Sequence, residues 1–429
     1  MGRSRSAAPP HVPVVAMNEP VSNTQFVEGE AQRDLGTIEA IETVRWEAQP
    51  NLLWVRAHTS LGTIGLGETY YLPGAVERVV HDLAADLFLG EPAGAISQLW
   101  SAFFSCTNFF GFAGAEMRAL SALDMALWDA LGQSVGLPVY QLLGGACHDS
   151  VPAYNTCVNA GPHPDWDRAL EEPAALAEEL RDLGYFGMKV WPWDRFAPQL
   201  HPRGSTGPAG WSAMGPVGSH LSLSDLATGL SVLEAARDRV GRSFELLLEG
   251  HSRWDVNMAI RICRAVEPVG VLWAEDVCQP DSAEDLARLV RETRVPQAVS
   301  ERLISRFAFR QVLSHQAAHI VLVDLAWTGG ISEGRRISEL AGTFHLPFAP
   351  HDCTGPVTAL ANLHLATSQP NSLGVEVVRG FIDGYYQEVL DQPLSIDRGR
   401  LRAPGGPGLG AALSADFLRR SDVKAVCSK

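Results

Sequence analysis

Basic residues are scarce in this chain of 429 residues: 34 Lys and Arg stand against 49 Asp and Glu, a formal net charge of −15. That balance repels phosphate backbones and anionic lipid surfaces, so neither nucleic acid nor a membrane is an expected partner. No window of about 18 residues is free of charged and polar breaks, so no membrane-spanning helix is expected. The seven cysteines, Cys106, Cys147, Cys157, Cys263, Cys278, Cys353 and Cys427, form no C-x-x-C pair. Neither a zinc knuckle nor a disulfide framework is implied, and a reducing cytoplasmic setting fits. G-x-S-x-G and Walker sequences are missing too, which argues against serine hydrolases and phosphate-loop enzymes.

What the chain does have is apolar content and length: 46% of its residues are hydrophobic and 19% charged, enough for a large core in two or three domains. Residues 1–33 are rich in Ala, Pro, Ser and Asn without periodicity and read as a flexible tail. Strand-like runs follow at 38–46, 52–58 and 64–71, broken by Gln49-Pro50-Asn51 and by Gly62, and three strands in series predict an antiparallel meander. Helical spacing takes over at 75–88, and again where Leu120, Leu123, Leu127 and Leu131 recur at steps of three and four, closed by Gly136 and Pro138. Residues 34–148 are therefore expected to form a small α+β domain.

From there the rhythm changes. Apolar runs of strand length each finish in an ionisable residue, Glu249, Glu275, Glu301, Asp324, His351 and Glu376, at steps of 26, 26, 23, 27 and 25 residues. A strand, a helix and two short loops occupy about 25 residues, so the period argues repeated βα units around a buried parallel sheet. Two earlier strands, at 151–156 and 187–191, bring the number to eight. The expected fold is α/β, a (β/α)8-type TIM barrel over residues 149–385. The distance from Lys189 to Glu249 exceeds one unit, and the Pro/Gly-rich residues 198–219 read as a loop inserted on the rim.

In such a barrel the C-terminal strand ends converge on one rim, where catalytic residues collect. Three carboxylates on adjacent strands, Glu249, Glu275 and Glu301, cannot all stay ionised at close range without a cation, and hard oxygen ligands select Mg²⁺ first and Mn²⁺ second. Asp324 and His351, on the next two strands, predict a dyad in which the carboxylate accepts the Nδ1 proton and leaves Nε2 free as a base. Lys189, ending the second strand across the bowl, is a candidate to meet a substrate carboxylate. His251 lies two residues past Glu249 and, in an extended segment, faces the same side as a candidate proton donor to a leaving hydroxyl. Blander roles stay open beside these: carboxylates exposed at loop starts, a packed loop histidine at 351, a helix-capping or supporting role for His251. His315-x-x-x-His319 lacks the Glu of H-E-x-x-H and reads as a solvated helix face. Gly405-Gly-Pro-Gly-Leu-Gly410 reads as a turn rather than a dinucleotide cradle.

The ordered set Lys189, Glu249, Glu275, Glu301, Asp324, His351, Glu376 resembles the enolase superfamily, specifically its mandelate racemase subgroup and the acid-sugar dehydratases within it. The resemblance runs from about Thr37 to the C-terminus. It is carried by Ala122-Leu-Asp-Met-Ala-Leu-Trp-Asp129, Gly136-Leu-Pro-Val-Tyr-Gln-Leu-Leu-Gly-Gly145, Glu249-Gly-His-Ser-Arg-Trp-Asp255, Thr328-Gly-Gly-Ile331, Pro350-His-Asp-Cys-Thr-Gly-Pro356 and the Gly405–Gly410 stretch. It implies an α+β capping domain over a modified (β/α)7β barrel, with residues 386–429 returning to the cap. It implies Mg²⁺ on Glu249, Glu275 and Glu301, and abstraction by His351 of a proton α to the carboxylate of a small-molecule substrate. Glu376, protonated, would donate to that carboxylate; His251 would protonate the departing hydroxyl; Tyr70 and Tyr71 would wall the pocket. The chain departs from the racemases, which carry Lys-x-Lys where it reads Lys189-Val190-Trp191, so the second-face base is missing and Trp191 lines the substrate side instead. Its first metal ligand is Glu249 rather than the commoner Asp. The implied activity is dehydration of an aldonate or aldarate by a homo-oligomer. A racemase or epimerase and a non-catalytic sugar-acid binder are the alternatives.

Overall fold

A computed structural model describes residues 35–198 and 216–429. The expected tail, residues 1–33, and residues 199–215 of the expected insert lie outside them.

The meander forms where the alternation puts it: β1 (Ile38–Trp46), β2 (Leu52–Thr59) and β3 (Ile64–Tyr70) pair antiparallel in sequence order. Ile41, Leu53, Val55 and Ala57 are buried in one cluster with residues of α1 (Ile96–Thr107) and α2 (Ala115–Val135). A helical stretch at residues 73–88, with one wider turn over Val80–Ala84, adds Val76, Val80 and Phe88. Glycines in β3 admit α2 so closely that a Cβ on Gly65 or Gly67 would stand 1.9 or 1.8 Å from a helix carbonyl oxygen. Leu120, Leu123 and Leu127 are buried on α2, and Gly136, at φ +73°, ends it.

Eight parallel strands follow among the described residues: β4 (Val151–Thr156), β5 (Gly187–Val190), β6 (Glu245–Glu249), β7 (Trp273–Glu275), β8 (Gln297–Val299), β9 (Ile320–Val323), β10 (Phe348–Pro350) and β11 (Val375–Val377). Each pairs with the next in order through β10, and β11 pairs with β4. Phe348 bonds to Asn371 and Leu373, just ahead of β11, so the sheet closes on itself. Among the described residues, a helix of ten residues or more follows each of the first seven of these strands: α3 (Pro173–Asp182), α4 (Leu223–Val240), α5 (Val256–Val266), α6 (Ala283–Glu292), α7 (Ser305–Ser314), α8 (Gly330–Thr343) and α9 (Pro356–Ser368). Ser222, Asp255 and Ser282 start α4, α5 and α6, each side chain accepting from the amide three residues on. The architecture is the capped (β/α)7β barrel. None of its described helices is long and apolar enough to cross a membrane.

Residues two apart on a strand share a face, and that parity builds the site. Tyr154, Leu247, Trp273, Ala298, Leu322 and Ala349 form an apolar cluster of their own inside the barrel. The next position of the same parity on each chain is Thr156, Glu249, Glu275, Ser300, Asp324 and His351. Glu301 falls out of this parity: the expected strand through it ends at Val299, two residues earlier. The strand expected to reach Trp191 likewise ends at Val190. The helix-face reading of His315 and His319 is also corrected. Helix α7 stops at Ser314, His315 caps it, and His319 Nδ1 accepts from the Gln297 amide at 3.0 Å on the approach to β9.

Polar side chains of the cap hold the barrel helices by their N-termini. Glu68 on β3 accepts from Trp54 Nε1 (2.7 Å) and, at the start of α9, from the Val357 and Thr358 amides (3.2 and 3.0 Å) and Thr358 Oγ1 (2.7 Å). Asp124 accepts from the Ser332 amide at the start of α8 (2.8 Å). Asp129 accepts from the Leu66 and Leu409 amides (2.8 and 2.7 Å), so the Gly405–Gly410 turn cradles a carboxylate of its own chain. A Cβ at Gly408 would stand 2.0 Å from Asp129 Oδ1. Finally β12 (Val423–Ser428) returns to the cap and pairs antiparallel with β1, Ile41 opposite Ser428 and Trp46 opposite Val423.

Candidate active site

Lys189, on β5, lies buried among three carboxylates: Glu275 Oε1 at 2.7 Å, Glu376 Oε1 at 2.8 Å and Glu249 Oε2 at 3.3 Å. Burial alone would lower its pKa; these neighbours reverse that and hold it well above the ordinary lysine value. It donates to Glu275 and pairs with the other two carboxylates of the rim, where the sequence reading expects it to meet a substrate carboxylate. Glu249 Oε1 accepts from the Gly250 and His251 amides (2.9 and 2.6 Å), and Glu275 Oε2 from Trp273 Nε1 (3.1 Å). Burial, with Glu249 beside it, pushes the Glu275 pKa up to about 8 against the pull of Lys189.

Glu376 accepts from Thr156 Oγ1, Tyr154 Oη (3.2 Å), the Asp352 amide (3.1 Å) and Cys353 Sγ (3.5 Å). Burial would raise its pKa, but Lys189 and His351 override that and hold it at about 2. In this geometry both Glu376 oxygens accept hydrogen bonds, where the sequence reading expects a protonated carboxyl that donates to substrate. His351 Nδ1 lies 2.8 Å from Asp324 Oδ2, and Asp324 Oδ1 accepts from the Ala326 amide at 2.7 Å. Its Nε2 faces Glu376 Oε2 at 4.0 Å. Burial would lower the His351 pKa; Glu376 and Asp324 raise it well above the ordinary value.

His251 and Ser252 take φ of +43° and +56°, so the segment after Glu249 turns and is not extended as the same-side argument assumed. The imidazole is nonetheless fixed, Nδ1 at 2.6 Å from Asp194 Oδ2 and its ring 5.2 Å edge-on from Trp191. Burial works against its charge, but Glu249 and Asp194 raise its pKa to about 9. Strands β6 and β10 are four apart in a ring of eight, so His251 and His351 stand on opposite sides of the barrel.

Aromatic side chains flank both. Trp191 stacks on Trp166 at 4.5 Å and 9°. On the other side Tyr70 meets Tyr71 at 4.5 Å, Tyr71 meets Trp327 at 5.7 Å, and Trp327 meets His351 at 5.3 Å. Arg118, from α2 of the cap, donates to the Tyr70 carbonyl (2.9 Å) and lies 4.7 Å over the Trp327 ring. Its guanidinium makes no ion pair among the described residues. Asp194, Trp327, Arg118, Thr156 and Cys353 escaped the sequence reading. Thr156 alone had a usable signal, its parity at the end of the first barrel strand.

Glu301 is buried with Oε2 unpartnered, as is Oδ1 of Asp276, which follows Glu275. Burial, with Glu301 and Glu249 nearby, pushes the Asp276 pKa well up. Among the described residues, the three metal-ligand atoms within 4.8 Å of one another belong to His351, Cys353 and Glu376, not to Glu249, Glu275 and Glu301.

A capped barrel with this rim defines an enzyme of the enolase superfamily, and the comparisons agree: residues 172–417 match the enolase C-terminal domain-like family. Residues 35–144 match the N-terminal domain of mandelate racemase / muconate lactonizing enzymes, so the chain belongs to the mandelate racemase subgroup of that superfamily. Among solved structures it is similar to a mandelate racemase subgroup enolase from Agrobacterium tumefaciens, 36% identical, covering 91% of this chain and 98% of that one at a TM-score of 0.81. Among characterised relatives it is similar to D-galactonate dehydratase of Pectobacterium atrosepticum, 28% identical over 86% of this chain and 90% of the relative. It is similar as well to D-xylonate dehydratase of Haloferax volcanii, 27% identical over 90% and 88%. Both relatives are dehydratases, that is, hydro-lyases.

Proposed function

We propose that the protein is a Mg²⁺-dependent dehydratase of an acid sugar, an aldonate or aldarate, that removes the proton α to the carboxylate and expels the β-hydroxyl to leave a 2-keto-3-deoxy acid. The observation that carries this reading is the pair of imidazoles across the barrel, each tied at Nδ1 to its own carboxylate, His351 to Asp324 and His251 to Asp194. Loss of water from neighbouring carbons asks for two such groups, one to take a proton and one to give it. The racemases resembled carry a second lysine as their other base, and this chain has Trp191, stacked on Trp166, at that position. The dehydratase names of the relatives support the same choice.

The donor set suits a hard cation. Glu249, Glu275 and Glu301 would hold Mg²⁺; the unpartnered buried oxygens of Glu301 and Asp276 fit a cation beside them. When bound, the ion supplies a Lewis-acid hold on the substrate carboxylate and on the negative charge that develops there. His351 Nε2 takes the C2 proton, with Asp324 on Nδ1 fixing the tautomer that presents the Nε2 lone pair to the substrate. The C3–O bond breaks as C2 and C3 become doubly bonded, His251 passes a proton to the departing hydroxyl, and the resulting enol becomes the ketone. Tyr70, Tyr71 and Trp191 wall the carbon chain. The free thiols support a reducing, cytoplasmic setting.

Aldonates and aldarates incubated with the protein and Mg²⁺ test the reading. Keto acid should form from at least one of them, stop on chelation and return with Mg²⁺. Deuterium entering C2 of recovered substrate with no loss of water would replace the reading by a racemase or epimerase. Binding with neither exchange nor product would replace it by a sugar-acid binder.

A further inference from the structure

We infer a second metal site, for Zn²⁺ or a similar borderline ion, at His351 Nε2, Cys353 Sγ and the Glu376 carboxylate, and an inhibitory one. The binding part stands on geometry alone; the inhibitory part rests on the proposed function, because the ion would occupy the Nε2 lone pair that takes the proton.

The three donor atoms lie within 4.8 Å of one another, with Cys353 Sγ 3.5 Å from Glu376 Oε1 and His351 Nε2 4.0 Å from Glu376 Oε2. Ligands at Zn–N, Zn–O and Zn–S bond lengths of about 2.0 to 2.3 Å around a tetrahedral ion stand roughly 3.3 to 3.7 Å apart. Small side-chain shifts therefore close the set. Nitrogen, sulfur and one carboxylate make a borderline-soft donor set, unlike the all-oxygen set of Glu249, Glu275 and Glu301, so Zn²⁺ and Mg²⁺ sort to different places. The supporting contacts are already made. Asp324 holds Nδ1 at 2.8 Å, which fixes the imidazole with Nε2 toward the donors, the arrangement that orients histidine ligands in zinc sites. Tyr154, Thr156, the Asp352 amide and the Lys189 ammonium, 2.8 Å from Oε1, hold the Glu376 carboxylate. Binding forms Zn–N, Zn–O and Zn–S bonds, releases the thiol proton and any proton on Nε2 to solvent, and changes no oxidation state.

Co²⁺, a spectroscopic stand-in for Zn²⁺, is titrated into the full chain with Mg²⁺ in excess. The expected result is a thiolate-to-cobalt charge-transfer band that Zn²⁺ abolishes and that is missing in Cys353→Ser and His351→Asn. Cys353→Ala repeats the measurement should the serine variant not fold. Zn²⁺ affinity, read by competition with a chelator, should fall about 10- to 100-fold in Asp324→Asn. Co²⁺ binding without a thiolate band, or a band that survives loss of the Cys353 thiol, overturns the site. Keto-acid formation that declines in step with the band supports inhibition, and turnover undiminished at Zn²⁺ saturation overturns it. If no acid sugar is turned over, the functional reading fails while the cobalt band still decides the site.

Discussion

His351 and His251 have the same relation to a carboxylate and different neighbours, and that difference predicts separable defects. His351→Asn should lose both keto-acid formation and exchange of the C2 proton in D2O, because one residue on one face abstracts the proton. His251→Asn should keep the exchange while keto-acid formation falls by about 10²- to 10⁴-fold, the contribution of a lost general acid. Proton NMR of the substrate in D2O reads both; loss of exchange in His251→Asn would show that the division of labour is wrong. Arg118 makes a further prediction. Its guanidinium reaches the rim from the cap without an ion pair among the described residues, on the Trp327 side of His351. If it meets the far carboxylate of an aldarate, Arg118→Met should raise KM for the diacid by about 10- to 100-fold, the loss of a charge-assisted hydrogen bond. The matching aldonate should change much less, and an equal change for both would place the substrate's far end elsewhere.

At the scale of elements, α9 carries a pH dependence that does not involve the site. His364 is fully buried; its Nδ1 accepts from the Tyr140 amide (3.3 Å) and its Nε2 donates to the Leu409 carbonyl (3.2 Å), a pattern that needs the neutral ring. Burial lowers its pKa to about 4, below the unfolded value near 6.5. Above pH 6.5 the ring is neutral in both states, and as pH falls toward 4 only the unfolded chain takes up the proton. This group therefore withdraws on the order of 3 kcal/mol of stability across that window. Denaturant unfolding at pH 7 and pH 4.5, compared between the wild type and His364→Gln, should show the smaller acid loss in the variant.

Elements were also where the sequence was most and least legible. The period of βα units and the residues closing each strand could be read because parity links an apolar plug, such as Leu247 or Trp273, to the polar residue two positions on. What failed depended on partners far away in the chain. The contacts that make Glu376 an acceptor come from Lys189 and from Thr156 and Tyr154 on β4, and no local pattern reports them. The turn at His251 places its positive φ on His251 and Ser252 rather than on the neighbouring Gly250, and the early end of β8 before Glu301 is a backbone choice with no glycine or proline to mark it. Strand β12 is mostly exposed, so Val423–Ser428 has no buried alternation to betray a strand.

For the whole molecule, the surplus of buried carboxylates at the rim couples stability to a cation. With Mg²⁺ at a hundred times its dissociation constant, the folded state should gain about 2.7 kcal/mol, seen as a higher Tm by calorimetry. Glu275→Gln should lose that Mg²⁺-dependent rise while still melting cooperatively. A wild-type Tm indifferent to Mg²⁺ would argue against the three glutamates as its ligands.

The pairing of β12 with β1 joins the far end of the chain to its first described strand, across the entire barrel sequence. During synthesis, β1, β2 and β3 leave the ribosome early, with the outer edge of β1 uncovered, and wait while every barrel unit is made. Only when Val423–Ser428 emerges can that edge be closed. Strand β12 thus seals β1 only once the whole barrel sequence has been made, and a ribosome that stalls within the barrel leaves behind a nascent chain with an open, sticky edge for quality control to recognise.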